Sequence, residues 1–241
     1  MRIVIIGRGN VACNLHQAFT IKHIPVQMVS SREGLECVPQ ADVYIYAVRD
    51  DALAQVVNQV HAAPNVLHLH TSGSIPLDVF GQDKPHAGVF YPFQTFSKQR
   101  LIEDFSIVPV FIEARGIDDL SGIYSLAQMI TSRIYEANQT ERERLHVAGV
   151  FASNFTNLMY GIAADLLRGT HIPFSALLPL IDETASKVHT LSPIDAQTGP
   201  ARRCDESVIN HHIQLLPTQP LRDLYQVLSN RIQAQYHITK N

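Results

Sequence analysis

Ten residues near the start restrict the fold more than any others: Ile3-Val4-Ile5-Ile6-Gly7-Arg8-Gly9-Asn10-Val11-Ala12. An unbroken run of strand-forming residues, as in a strand buried on both faces, stops at a glycine. Gly7, Gly9 and Ala12 then give the G-x-G-x-x-G/A spacing that opens a helix. Gly7 suits a tight turn, Gly9 leaves the backbone open to a pyrophosphate, and Ala12 lets the helix lie close on the strand. Unpaired N–H groups at the helix start would face the anion. Val11, Leu15, Ala18 and Phe19 supply the apolar stripe of that helix. The stretch predicts a dinucleotide-binding turn made by Gly7, Arg8, Gly9, Asn10 and Val11.

The next strand is expected at Val26-Gln27-Met28-Val29. In this kind of fold an acidic residue after the second strand holds the ribose 2′-hydroxyl of NAD. Here Ser30, Ser31 and Arg32 occupy that place, and Glu33 falls past it. Two hydroxyls and a guanidinium fork suit a 2′-phosphate, so NADP(H) is the expected cofactor. Residues 41–48 read as a third strand that brings Ala47, Val48 and Arg49 to the cofactor groove, with Asp50 capping the following helix. Residues 65–70 deliver a small polar loop, in which Ser72 and Gly73 can approach the nicotinamide ribose or the substrate. His68 and His70 share one strand face without a third ligand at useful spacing, so no metal is expected. The aromatic stretch 91–96 either walls a pocket or packs beneath the sheet. Residues 107–113 form another strand, which Pro109 would place at an edge or a bulge. A helix over 117–131 should bury Leu120, Ile123, Tyr124, Ala127 and Ile130, and Arg133-Ile134-Tyr135 should close the sheet. This alternation predicts a Rossmann-like α/β doubly wound sheet over residues 1–138.

Residues 139–241 predict an all-α domain. The stretch 141–169 lacks proline and reads as one long helix, capped by Thr140 and ended by Gly169. It is apolar on most sides, which calls for burial among helices or in a homodimer. Its polar residues are therefore informative: His146 and Asn157 fall on nearly one face, with Asn154 at the flank. All three are candidate catalytic groups, although His146 and Asn157 lie about 16 Å apart along a helix and cannot grip one small substrate together. A second helix after Pro173 carries Lys187 four residues beyond Glu183, either as a surface ion pair or as an ammonium for a substrate. Beyond the turn at Gly199-Pro200, Arg203 and Asp205 complete the set. Arg203 suits an anionic substrate, and Asp205 either caps the next helix or joins Arg203 in closing over that substrate.

At 46% hydrophobic and 17% charged residues, the 241-residue chain can bury a sizeable core. A net charge of -3 gives no support for a nucleic-acid partner. No apolar segment is long enough to span a membrane, and no secretory leader is expected. Cys13, Cys37 and Cys204 stand far apart, as thiols of a reducing compartment do, so a cytoplasmic location is expected.

The stretches IIGRGNVA, AVRDDAL, HTSGSIPLDVF, GVFYPFQTFSKQ, LHVAGVFASNFTNLMY, LPLIDETASKVH and AQTGPARRCDESVINHH together span nearly the whole chain. In them the chain resembles the NADP oxidoreductases that couple a Rossmann-like domain to a helical C-terminal domain of unassigned function. That family is similar in plan to β-hydroxyacid dehydrogenases, ketopantoate reductases and pyrroline-5-carboxylate reductases. The resemblance implies an interdomain cleft, hydride transfer from NADPH, and a homodimer formed through the helices; the expected reaction is reduction of the carbonyl or imine of a small polar substrate, a 2-keto acid such as ketopantoate being one case. Ketopantoate reductases and β-hydroxyacid dehydrogenases carry a lysine about one helical turn before an asparagine. Asn154 or Asn157 can stand for the asparagine, but Val150 occupies the lysine position, leaving His146 or Lys187 as proton donor. The alternative is an NADP(H)-binding sensor or assembly subunit without turnover.

Overall fold

Strand β1 (Ile3–Ile6) is buried at every position because it lies inside a seven-stranded sheet. In this computed structural model, which describes residues 1–32 and 34–237, β1 pairs in parallel with β2 (Val26–Val29) and β3 (Val43–Tyr46). Glu33 lies outside the described residues. The sheet continues through β4 (Leu67–His70), β5 (Ala87–Pro92), β6 (Val110–Ala114) and β7 (Ile134–Glu136), in the order β2-β1-β3-β4-β5-β6-β7. Every neighbouring pair is parallel except β5 with β6. The chain leaves β1 for β2 and then returns to the other side of β1 as β3. That reversal makes a switch point at the carboxyl ends of β1 and β3, where doubly wound sheets open a crevice.

Helices α1 (Asn10–Ile21), α2 (Asp50–Gln59) and α3 (Ile117–Gln128) connect these strands. Side chains alternate across a strand, so β1 feeds two cores. Ile3 and Ile5 pack with Ala12, Leu15, Phe19, Ile123 and Ala127 on one face. Val4 and Ile6 pack with Leu53, Val57 and Phe80 on the other. Each such buried side chain contributes about 1.5–3 kcal/mol, which is why a four-residue strand can anchor the domain.

Several local expectations shift. Asp50 is the first residue of α2 and Arg49 its N-cap, so both acids of the first turn act on the helix dipole rather than by capping. Pro109 precedes β6, an interior strand, instead of marking an edge. In α3 the buried face is Ile123, Leu126 and Ala127, followed by Ile130, whereas Tyr124 is exposed and Leu120 only half-buried. Residues 139–166 are helical but not uniform: α4 (Gln139–Gly149) passes into a π-helical turn (Val150–Phe155) and then α5 (Thr156–Leu166). The cap is Asn138 rather than Thr140; its side chain accepts from Glu141 N–H, and the Glu141 carboxylate accepts from Asn138 N–H.

The chain packs as a first unit, Met1–Tyr160, and a second beginning at Gly161. The sheet ends at Glu136, yet α4 and the π turn belong with the first unit because their side chains are tied to it, as described below. The second unit is helical. After a left-handed turn at Gly169 come α6 (Leu178–Lys187), α7 (Pro193–Ala196), α8 (Pro200–Arg203), α9 (Glu206–Leu215) and α10 (Gln219–His237). Helix α10 packs against α8 and α9.

Two histidines of β4 are buried in the sheet. His68 Nδ1 lies 2.9 Å from the Tyr46 hydroxyl, and His70 stacks on Phe80. Burial lowers His68 to about 4 and His70 to about 3, from an ordinary 6.5. The unfolded chain therefore binds these protons first, and their contribution to stability is complete above pH 6.5 and declines as pH falls through both values. Equilibrium unfolding between pH 6.5 and 4 should lose about 1.4 kcal/mol per pH unit for each histidine, and His68→Gln should remove one share of that slope. An unchanged slope would contradict the assignment.

Candidate functional site

The carboxyl ends of β1, β3 and β4 open onto a cleft of about 2420 Å³ that lies within the first unit. Small-molecule pockets usually enclose roughly 300–1,000 Å³, so there is room here for a large ligand together with a small one. Its walls are residues 7–11, 30–32, 47–52, 71–73, 91–98 and one side of the helical run from His146 to Tyr160.

At the centre of the floor, Gly7 has φ +130°, and a Cβ there would lie 2.2 Å from the Ala47 carbonyl oxygen. Only glycine permits that turn against β3. Gly9 is different. Its φ is -78°, and a Cβ would rest at 3.9 Å from the same oxygen, an ordinary contact. The protein itself does not require glycine at this position, so the space it leaves serves whatever enters the cleft. Helix α1 begins at Asn10 without a side-chain cap, leaving its first-turn N–H groups to a ligand. These features fit a dinucleotide pyrophosphate.

The flanks are braced by polar contacts. Ser30 Oγ accepts from Arg32 N–H at 3.2 Å, shaping the turn that presents the Arg32 guanidinium, while Ser31 is half-buried beside it. Arg49 is engaged with Asp51 through a two-point contact of its guanidinium. Ser72 Oγ accepts from the N–H groups of Ser74 and Ile75, at 3.0 and 3.1 Å, and so folds the loop that carries Gly73. From below, His70 Nδ1 accepts from Ser72 N–H at 3.2 Å. Asn14, fully buried on α1, donates to the carbonyl oxygens of Asn10 and Ser97 and accepts from Ile102 N–H. That clamp sets residues 94–98 beside the start of α1.

The remaining wall is helical. Arg142, on the first turns of α4, is fully buried. Its guanidinium pairs with Glu113 of β6 and donates to the carbonyl oxygens of Ala137 at 3.2 Å and Ile75 at 3.0 Å. One turn later, His146 Nδ1 lies 3.0 Å from the Tyr91 hydroxyl. Burial, aided by the nearby Asp50 carboxylate, pushes the Tyr91 phenol up to about 12, while Arg142 acts in the opposite sense. The π turn then widens the helix by an extra residue per turn, so that Ala152, Ser153, Asn154, Thr156 and Asn157 all face the cleft. Gly149 opens that turn because a Cβ there would meet the Phe93 ring at 2.7 Å.

Gly7, Arg8, Gly9, Asn10, Val11, Ser30, Ser31, Arg32, Ala47, Val48, Arg49, Ser72 and Gly73 thus line one cleft, together with His146, Asn154 and Asn157. Lys187, Arg203 and Asp205 belong to the second unit. Lys187 pairs with Glu183 at 3.7 Å, Arg203 ends α8, and Asp205 caps α9 by accepting from Val208 N–H. Sequence reasoning missed Arg142 and Asn14 as site-building residues; of the two readings of the stretch 91–96, the cleft lining bears out the pocket wall. The signals were an arginine one turn before His146 and an asparagine inside the apolar stripe of α1.

The architecture is that of a Rossmann-type dinucleotide-binding fold followed by helices. The family model described as "Domain of unknown function (DUF2520)" matches residues 108–232. The chain is 41% identical to a "putative NADP oxidoreductase" of Bacteroides fragilis, over 97% of this chain and 98% of that one, with a TM-score of 0.90. It belongs to the DUF2520 family. The same fold recurs in a protein of Thermotoga maritima, at 16% identity over 99% of this chain and 100% of that one, with a TM-score of 0.73. It recurs again in an imine reductase of Myxococcus stipitatus in complex with NADP+, at 12% identity over 98% and 93% of the chains, with a TM-score of 0.60. No curated protein matches the chain in sequence.

The two glycines of the turn should separate in a stability assay. Gly9→Ala should unfold within about 0.5 kcal/mol of the unaltered protein, as a tolerated surface change does. Gly7→Ala should cost several times more, at least about 2 kcal/mol, through strain and the Ala47 clash. Equal losses in denaturant melts would refute the distinction.

Proposed function

We propose that this protein is an NADPH-dependent reductase acting on the carbonyl or imine carbon of a small polar substrate. One observation carries the reading: a single cleft joins the glycine turn and the Ser30–Ser31–Arg32 edge to a helical wall bearing His146, Asn154 and Asn157. Gly7 to Val11 receive the pyrophosphate on the α1 N-terminus. Ser30, Ser31 and Arg32 take the 2′-phosphate. Ala47, Val48, Arg49, Ser72 and Gly73 border the ribose and nicotinamide. When bound, the cofactor supplies a hydride. His146 is the source of the accompanying proton, and Asn154 or Asn157 orients the substrate.

Residues 139–241 act as the substrate and dimerisation region, distinct in role from the cofactor-binding residues 1–138. Val147, Phe151, Phe155 and Leu158 form an exposed apolar stripe along α4, the π turn and α5, and a second copy of the chain covers it. A 2-keto acid such as ketopantoate is the substrate this reading favours. No helix among the described residues is long and apolar enough to cross a membrane. The enzyme works in the cytoplasm on a small molecule, without nucleic-acid or membrane partners.

Fluorescence titration with NADPH and NADH tests the cofactor assignment. NADPH should bind more tightly, and Arg32→Ala should weaken NADPH by about 10–100-fold, the value of one charge-assisted contact, while leaving NADH nearly unchanged. Equal affinity for the two cofactors would contradict it. NADPH oxidation across a panel of keto acids and cyclic imines tests the reaction, and failure of every compound would point to a sensor.

A further inference from the structure

Tyr91 and His146 form a gradient from the inside of the cleft to its rim. Tyr91 is 8% exposed, whereas His146 is open to solvent. The phenol also presses on the loop after β4: a Cβ on Gly73 would lie 2.8 Å from the ring and 2.9 Å from the hydroxyl. Glycine at that position lets the Tyr91 hydroxyl reach the backbone beside which the reading above places the nicotinamide. Among the described residues the hydroxyl has one side-chain partner, His146 Nδ1.

We propose that Tyr91 hands the proton to the substrate and that His146 replaces it through Nδ1 in the same step. The inference rests on the reductase reading. As hydride from the reduced dinucleotide bonds to the substrate carbon, the π electrons of the C=O or C=N bond move onto the oxygen or nitrogen. That atom takes the proton of the Tyr91 hydroxyl, and the Nδ1 proton of the His146 imidazolium passes to the phenolic oxygen. The substrate is reduced by two electrons to an alcohol or amine, and the dinucleotide is oxidised by the same two. Tyr91 ends as an intact phenol and His146 as a neutral imidazole, which takes its next proton from water at the rim.

The surroundings explain why a pair is needed. A phenol raised to about 12 does not release its proton unaided near neutral pH, and the Asp50 carboxylate from α2 adds to that resistance. Arg142 from α4 opposes it, but its charge is already paired with Glu113 from β6. An imidazolium on the phenolic oxygen removes the difficulty, because no tyrosinate has to accumulate. Histidine is the side chain whose charge changes between pH 5 and 8, which suits it to recharge the donor.

Tyr91→Phe and His146→Gln test the relay in the full-length protein, with 1-pyrroline and pyruvate as probes. Tyr91→Phe should lower kcat by about 10²-fold or more with NADPH affinity unchanged, the usual yield of a positioned acid. His146→Gln should lower kcat less and change the pH profile of kcat. Nitrogen-15 spectra of the protein without substrate give a readout independent of turnover. Neutral His146 should hold its proton on Nε2 while Tyr91 donates to Nδ1, and Tyr91→Phe should shift that tautomer balance. A Tyr91→Phe variant within threefold of the parent, an unaltered pH profile in His146→Gln, or an unshifted tautomer balance would each overturn the relay. Parent protein inert toward both probes, with the spectral signature intact, would uphold the contact and overturn the reductase reading together with the relay.

Discussion

A guanidinium removed from water is costly to leave without its counter-charge, and breaking a buried ion pair by removing one partner costs about 3–5 kcal/mol. Arg142 takes partners for its two terminal nitrogens from three places: the Glu113 carboxylate on β6, the Ala137 carbonyl ahead of α4, and the Ile75 carbonyl in the loop after β4, while its Nε has none among the described residues. Only one relative position of helix, sheet and loop satisfies all three contacts. The contact therefore fixes where α4 starts on the sheet. One turn along, it fixes where His146 stands against Tyr91. The loop it grips from one side is the loop His70 grips from another, so Ser72 and Gly73 are held by the same core that holds the helix.

The rest of the cleft follows from the sheet. Parallel strands require crossovers, and the reversal between β1 and β3 leaves their carboxyl ends uncovered. Gly7 brings the first turn within contact of Ala47 at this opening, and Gly9 keeps the space in front of α1 clear. The ligand-facing turn and the helical wall thus meet across strands already packed on both faces. A rigid floor of this kind allows loops and one widened helix to carry chemistry without loss of the core.

How legible this was depended on the distance over which each residue acts. The strand, the glycine turn and the stripe of α1 lie within a dozen residues, and periodicity with backbone sterics identifies them. Asp205 as a cap is equally local, its partner being three residues on. The Asn138 cap is local too, marked by Glu141 three residues after it, although Thr140 competes for the same role in the sequence. Tyr91 and Arg142 could not be read in this way. Tyr91 meets a histidine 55 residues later, and Arg142 binds partners 29 and 67 residues earlier. Arg142 stands one helical turn before His146, but nothing that close identifies the partners of either residue. The π turn has one local hint, Gly149, whose importance appears only once Phe93 lies against it.

On this account one brace sets both the loop at Gly73 and the helix of His146, so that a dinucleotide in the cleft must end between them. A crystal structure of the complex with NADP+ tests that most directly. It should place the 2′-phosphate at Ser30 to Arg32, the pyrophosphate at the start of α1, and the nicotinamide beside Gly73 with the Tyr91 hydroxyl on its substrate side. A nicotinamide bound away from Tyr91, or a cofactor lying in the opposite direction along the cleft, would contradict the account.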